Sequence, residues 1–158
     1  MILDIGRALQ QPGEPFPFNI EEAEPSAEQS QRFPEGVFAR SICVEGFIVG
    51  ANETVFVRGS VCAKIIAECA RCLKSFERSL AVGVHEVYVR SSDPGDPDRN
   101  VFQGHTLELE EQVYSTLLLA LPIRSLCKED CVGLCPICGA NLNDCACEHT
   151  EGNGCTSE

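Results

Sequence analysis

The chemistry in this sequence is carried by sulfur. Cys135-Pro136-Ile137-Cys138-Gly139 is a Cys-x-x-Cys step followed by glycine. Both thiolates can face one ion while the glycine allows the tight reversal beneath them, the geometry of a zinc knuckle. Cys145 and Cys147 follow across a Gly-Ala-Asn-Leu-Asn stretch suited to turning back, so the spacing closes a local four-thiolate site of Cys135, Cys138, Cys145 and Cys147. His149 is the alternative to Cys147 in that set. A second pair, Cys69 and Cys72 in Glu68-Cys69-Ala70-Arg71-Cys72, sits where one expected strand ends and the next begins. Taken alone it would also suit a redox pair. Joined with the remaining Cys127 and Cys131 it gives a further site of Cys69, Cys72, Cys127 and Cys131, which ties the sheet to the tail.

Four thiolates leave a zinc ion no open position, whereas a catalytic ion keeps one for water or substrate. Two structural Zn2+ per chain are therefore expected, each with a binding free energy of about 10–16 kcal/mol that becomes folding free energy. Eleven cysteines in 158 residues is heavy usage. The opening Met1-Ile2-Leu3-Asp4-Ile5-Gly6-Arg7 has neither a charged leader nor an apolar core segment, which favours metal ligation over a disulfide framework. No apolar run approaches the roughly 18 residues of a membrane span, and the expectation is a soluble cytoplasmic protein. Cys43, Cys62 and Cys155 have no partner at ligand spacing; the first two lie in strand patterns and read as small buried hydrophobes.

Twelve basic against 24 acidic residues give a net charge of −12. That opposes general binding to a phosphate backbone and makes any nucleic-acid contact depend on a local cationic patch. Half of the cations, Lys64, Arg71, Lys74, Arg78, Arg124 and Lys128, flank the Cys69/Cys72 pair or the segment expected to return to it. Arg71, inside the knuckle, could reach a phosphate, and Phe76 could offer a stacking face. The same cations would also serve to solvate an edge strand or to offset thiolate charge. Catalysis has no comparable signal. His85 and His105 are isolated imidazoles, no Ser-His-Asp or Cys-His set can be assembled, and there is no phosphate-binding glycine loop. The reading is non-enzymatic.

The elements that must position these groups follow from periodicity. Residues 10–34 carry Pro12, Pro15, Pro17, Pro25 and Pro34, too many for a regular helix or central strand, and residues 1–34 are expected to form a wrapping or dangling arm. From 37 to 90 apolar residues alternate, as in Val55, Val57, Val61, Ala63 and Ile65. This predicts a meander of antiparallel strands over 38–49, 54–68 and 74–90. Residues 91–100, with Asp93-Pro94-Gly95-Asp96-Pro97-Asp98, read as a solvated acidic loop. Leu109, Val113, Leu117, Ala120 and Leu121 share one face of a helix placed at 107–122, with Glu108, Glu110 and Glu111 at its positive end and Pro122 closing it. Residues 123–148 are the zinc-binding segment and 149–158 a disordered tail. The fold class is α+β in a single domain over 1–148: an antiparallel sheet or partly open barrel with the helix packed on it.

Taken together, these residues resemble the YceD family of bacterial proteins linked to accumulation of large-subunit ribosomal RNA, in its cysteine-rich branch. The likeness rests on Glu68-Cys69-Ala70-Arg71-Cys72-Leu73-Lys74-Ser75-Phe76, on Leu118-Leu119-Ala120-Leu121-Pro122 with Cys127 and Cys131 after it, and on the run from Cys131 to Asn143. Ile2-Leu3-Asp4-Ile5, Pro12-Gly13 and Pro17-Phe18 add a weaker likeness at the start. The resemblance implies a role in 23S ribosomal RNA accumulation or processing and large-subunit biogenesis, with ribosomal RNA or a basic large-subunit ribosomal protein as partner. It also implies that Cys69, Cys72, Cys127 and Cys131 occupy family positions that carry Cys or His, and that the second cluster is a stabilising addition. It supplies no catalytic residue. A zinc-thiolate redox switch or chaperone is the alternative function.

Overall fold

A computed structural model describes residues 1–22, 25, 29, 31–35, 37–91 and 99–144. Its centre is three long antiparallel strands, β3 (Val37–Ala51), β4 (Thr54–Glu68) and β5 (Ser75–Val89), almost where the alternation puts them. The Ala51↔Thr54 pair leaves Asn52 and Glu53 as a two-residue turn, and Asn52 takes φ 56°, the left-handed conformation that such hairpins need and asparagine tolerates. Alternation continues into burial: Val55, Val57, Val61, Ala63 and Ile65 of β4 are all within the core, while Phe56, Cys62 and Lys64 face solvent.

The proline-rich start is not an arm. Ile2–Asp4 forms β1, Gly6–Gln10 a short helix α1, and Pro15–Glu22 forms β2, paired antiparallel to β3 along its whole length. Pro15 and Pro17 are two apart, so the donors they lack fall on the same side of the strand, which an edge strand can turn to solvent. Helix α1 lies against β3 so closely that a Cβ on Gly50 would run into the Ala8 carbonyl oxygen.

Beyond β5, Asn100–Val101 (β6) adds a short parallel strand, giving the sheet order β2-β3-β4-β5-β6. The sheet is open rather than a barrel. Thr106–Glu108 (β7) pairs with β1, so the final helix α2 begins only at Glu110 and runs to Ala120; Glu108, placed in the helix by its charge, belongs to β7. Val113, Tyr114 and Leu117 of α2 are buried against the sheet. Leu121, held extended before Pro122, ends it. Among the described residues no helix is long and apolar enough to cross a membrane. Most of the acidic loop (92–98) and all of 145–158, including Cys145, Cys147, His149 and Cys155, lie outside the described residues.

Candidate metal centre

The turn between β4 and β5 is a knuckle built on Cys69. Its backbone N–H donates to the Lys74 carbonyl at 3.0 Å, and the Leu73 N–H returns to the Cys69 carbonyl at 2.9 Å. Leu73 adopts φ 58°, a conformation that costs a branched side chain about 1–2 kcal/mol and that the surrounding contacts hold in place. After α2 the chain comes back to this turn, where the Ala70 N–H donates to the Ser125 carbonyl at 2.8 Å. Cys127 and Cys131 arrive with it. The Sγ atoms of Cys69, Cys72, Cys127 and Cys131 all lie within 4.8 Å of one another; the Cys69–Cys131 and Cys72–Cys127 separations are both 3.7 Å.

A regular tetrahedron with metal–sulfur bonds of about 2.3 Å has sulfur–sulfur edges of about 3.8 Å. Four converging thiols at this spacing, three of them buried and Cys127 half-buried, fit a metal ion in their donor chemistry and their size. The electrostatics agree. Burial works against ionisation of Cys69, but backbone donors at Cys127, Arg71 and Cys72 outweigh it and bring that thiol down to about 6. Cys127 is pushed up to about 12, by burial first and then by contact with Cys131, Cys72 and Cys69. At Cys72 the backbone bond from Lys74 is the largest single influence and favours the thiolate, yet burial together with the Cys69 and Cys131 contacts leaves that thiol raised. The nest of N–H groups thus favours one thiolate, and its charge holds neighbours neutral; only a cation would let all four ionise.

Around the thiols sits a support that sequence reading assigned elsewhere or missed. Arg71 is exposed, and its guanidinium is also a brace: its Nη1 donates to the Cys131 carbonyl at 2.7 Å, because the knuckle turns the side chain across the returning segment. The Arg71 carbonyl in turn accepts from the Leu134 N–H at 3.2 Å. Gly133 passes the knuckle with φ 96°, and a Cβ there would meet the Arg71 carbonyl oxygen at 3.1 Å. Asn143 was not foreseen. Its Nδ2 donates to the Cys131 Sγ at 3.3 Å and to the Asn141 Oδ1 at 2.7 Å, while its Oδ1 accepts from the Val132 N–H at 3.0 Å. Outer-sphere donors of this kind orient metal ligands. The only signal in the sequence was an asparagine-rich turn.

Phe76 is half-buried and packs on the thiol cluster, which withdraws one of its faces from stacking. The cations do not make a single patch. Lys64 faces the open side of the sheet opposite Ser79, whereas Arg78 stands one register step away opposite the core residue Ile65. Lys74, Arg124 and Lys128 are exposed around the cluster, and Lys128 pairs with Asp130 at 3.9 Å. The second Cys-x-x-Cys also turns tightly: the Cys135 N–H donates to the Ala140 carbonyl at 2.8 Å and the Gly139 N–H to the Cys135 carbonyl at 2.9 Å, with Gly139 at φ 74°. Cys135 is buried and Cys138 exposed; the other expected ligands of that site fall outside the described residues.

A family model described as large ribosomal RNA subunit accumulation protein YceD matches residues 57–155, a span that includes both Cys-x-x-Cys turns. An uncharacterized protein of Mycobacterium tuberculosis is 31% identical over 100 residues, covering 60% of this chain and 48% of the relative. One of Mycobacterium leprae is 29% identical over 101 residues, covering 60% and 46%. The chain thus spans about half the length of the curated relatives it matches. No solved structure matches it.

Proposed function

Because this chain belongs to the YceD family of large ribosomal RNA subunit accumulation proteins, we propose that it is a non-enzymatic factor in 23S ribosomal RNA accumulation and large-subunit biogenesis. It would dock through a zinc-stabilised surface. The observation that carries this reading is the convergence of Cys69, Cys72, Cys127 and Cys131 inside the segment the family model covers. Zinc, when bound there, supplies a closed tetrahedral junction; the chain's own part is to hold the β4–β5 turn and the segment after α2 as one rigid surface. Lys74, Arg124 and Lys128 stand exposed on that surface. The net charge of −12 opposes general phosphate-backbone binding, so contact with ribosomal RNA is confined to this cationic surface, while a basic large-subunit ribosomal protein suits the acidic remainder. A second four-thiolate site at Cys135, Cys138, Cys145 and Cys147 is part of the proposal, as two zinc ions per chain.

The test is co-sedimentation of the metal-loaded protein with precursor large subunits, with protein and RNA cross-linking to name the neighbour. The double substitution Lys74→Glu, Arg124→Glu should keep metal content and lose co-sedimentation. Retained binding would remove this surface from the reading, and an absence of the wild-type protein from precursor particles would remove the function. A zinc-thiolate redox switch is the less supported alternative, since Cys69, Cys72 and Cys131 are buried and withdrawn from a soluble oxidant.

A further inference from the structure

The open face of the sheet brings together two cysteines that sequence spacing keeps apart. The β2–β3, β3–β4 and β4–β5 registers set Glu21 opposite Cys43, Cys43 opposite Cys62, and Cys62 opposite Ala81. Their strand neighbours Ile42, Val44, Val61 and Ala63 are core residues, so both thiols lie on the solvent side. Cys62 is exposed and Cys43 half-buried, which corrects the expectation that both are interior hydrophobes. Neither belongs to the four-thiol cluster.

The register brings a bond between them within reach. Pairs alternate from the hydrogen-bonded Ala51↔Thr54 at the turn, and Cys43↔Cys62 falls an even number of steps along, so it is a hydrogen-bonded pair with Cα atoms about 5.5 Å apart. That is inside the roughly 4.4–6.8 Å range of disulfides, although the Cβ atoms must draw in to about 4 Å. A bond made under such tension is readily reduced, which makes it reversible. The Cys43 thiol donates to the Asn19 Oδ1 at 3.4 Å. Burial, Glu21, Glu45 and then Cys62 itself raise its pKa.

We propose that Cys43 and Cys62 form a reversible cross-strand dithiol, a modification site for low-molecular-weight disulfides of the glutathione type. The exposed Cys62 thiolate attacks one sulfur of the small disulfide, forming a mixed disulfide and expelling one small thiolate. Cys43 then attacks the Cys62 sulfur, breaking the mixed disulfide and expelling the second small thiolate. The two protein thiols are oxidised, the small disulfide is reduced to two thiols, and the protons leaving Cys62 and Cys43 end on them. The bond clamps β3 to β4 in the middle of the open face and leaves the buried thiol cluster untouched.

The experiment exposes metal-loaded protein to glutathione disulfide, blocks remaining thiols by alkylation and maps peptides without reduction. The expected result is a Cys43–Cys62 linked pair, the loss of two hydrogen atoms, full retention of metal and complete reversal by dithiothreitol. Cys43→Ser should instead trap a mixed disulfide at Cys62, with an unchanged melting temperature in the reduced protein. The proposal is overturned if wild-type protein stops at the mixed disulfide, if both cysteines remain fully alkylated, or if linkage appears only as metal is lost.

Discussion

The two Cys-x-x-Cys turns share a local chemistry and differ in what reaches them. At Cys69 and Cys72 the thiols are 0% and 5% exposed, and two more thiols come from a segment that has crossed the sheet with α2 and returned. At Cys135 and Cys138 one thiol is buried and one exposed, and the turn is fastened through its flanks: Leu134 to Arg71, Leu142 to Gly133, and Asn143 to the Cys131 sulfur. The first turn joins distant parts of the chain. The second leans on the first. A metal at the first should therefore hold the whole fold, whereas one at the second should order mainly its own segment.

The sharpest way to break that contrast is a pair of ligand substitutions. Cys69→Ser should lower Tm by more than about 10 °C and abolish metal at that site, while Cys138→Ser should shift Tm by less than about 4 °C. Calorimetry alongside metal analysis by mass spectrometry reads both, and equal effects would erase the distinction. Next in size is pH. Cys72 and Cys127 are raised above the ordinary thiol value of 9.0, so binding must expel at least those two protons. Affinity at the first site should fall by at least about a hundredfold for each unit of acidification below pH 8. The fall should steepen below about 6, where Cys69 also takes up its proton. Competition with a chromophoric chelator across that range checks the slope, and a flat profile would mean that the cluster is not the binding site.

Smaller effects probe the support between the turns. Gly133→Ala meets both the positive φ and the Arg71 carbonyl and should cost about 1–2 kcal/mol, measured by urea unfolding of the metal-loaded protein. Arg71→Ala removes the bond to the Cys131 carbonyl and should cost about 1 kcal/mol, with Arg71→Lys restoring only part because a single ammonium does not reproduce the guanidinium's fixed reach. If Arg71→Ala left metal off-rates and stability unchanged, the residue would be a surface cation and its bracing role would be wrong. Least of all, Asn143→Ala should speed metal release from the first site by only a few-fold; no change would uncouple the two turns.

Much of this was legible because it is local. The alternation in β3 and β4, the apolar stripe of α2 and its end at Pro122 follow from side-chain period and backbone preference over a few residues. Legibility failed where a partner lay far along the chain. Residues 2–4 and 106–108 each look unremarkable until they pair, which shortens the expected helix by taking Thr106–Glu108 into a strand. Pro15 and Pro17 spoke against a central strand and gave no hint that an open edge of β3 was waiting. Arg71 and Phe76 carry chemistry suited to a nucleic-acid surface, and the fold adds to each a contact that spacing does not announce, the Cys131 carbonyl for Arg71 and the thiol cluster for Phe76.

By itself the sequence determined what donor chemistry this protein presents and where its strands run, since thiol spacing and hydrophobic period are written within a few consecutive residues. Only the tertiary structure decided which thiols meet. Cys69 and Cys131 converge because a helix returns the chain to the sheet end, and Cys43 faces Cys62 because a two-residue turn fixes the register along the whole hairpin. Register and chain return are set by the joint burial of many residues, and no single stretch of the chain records them.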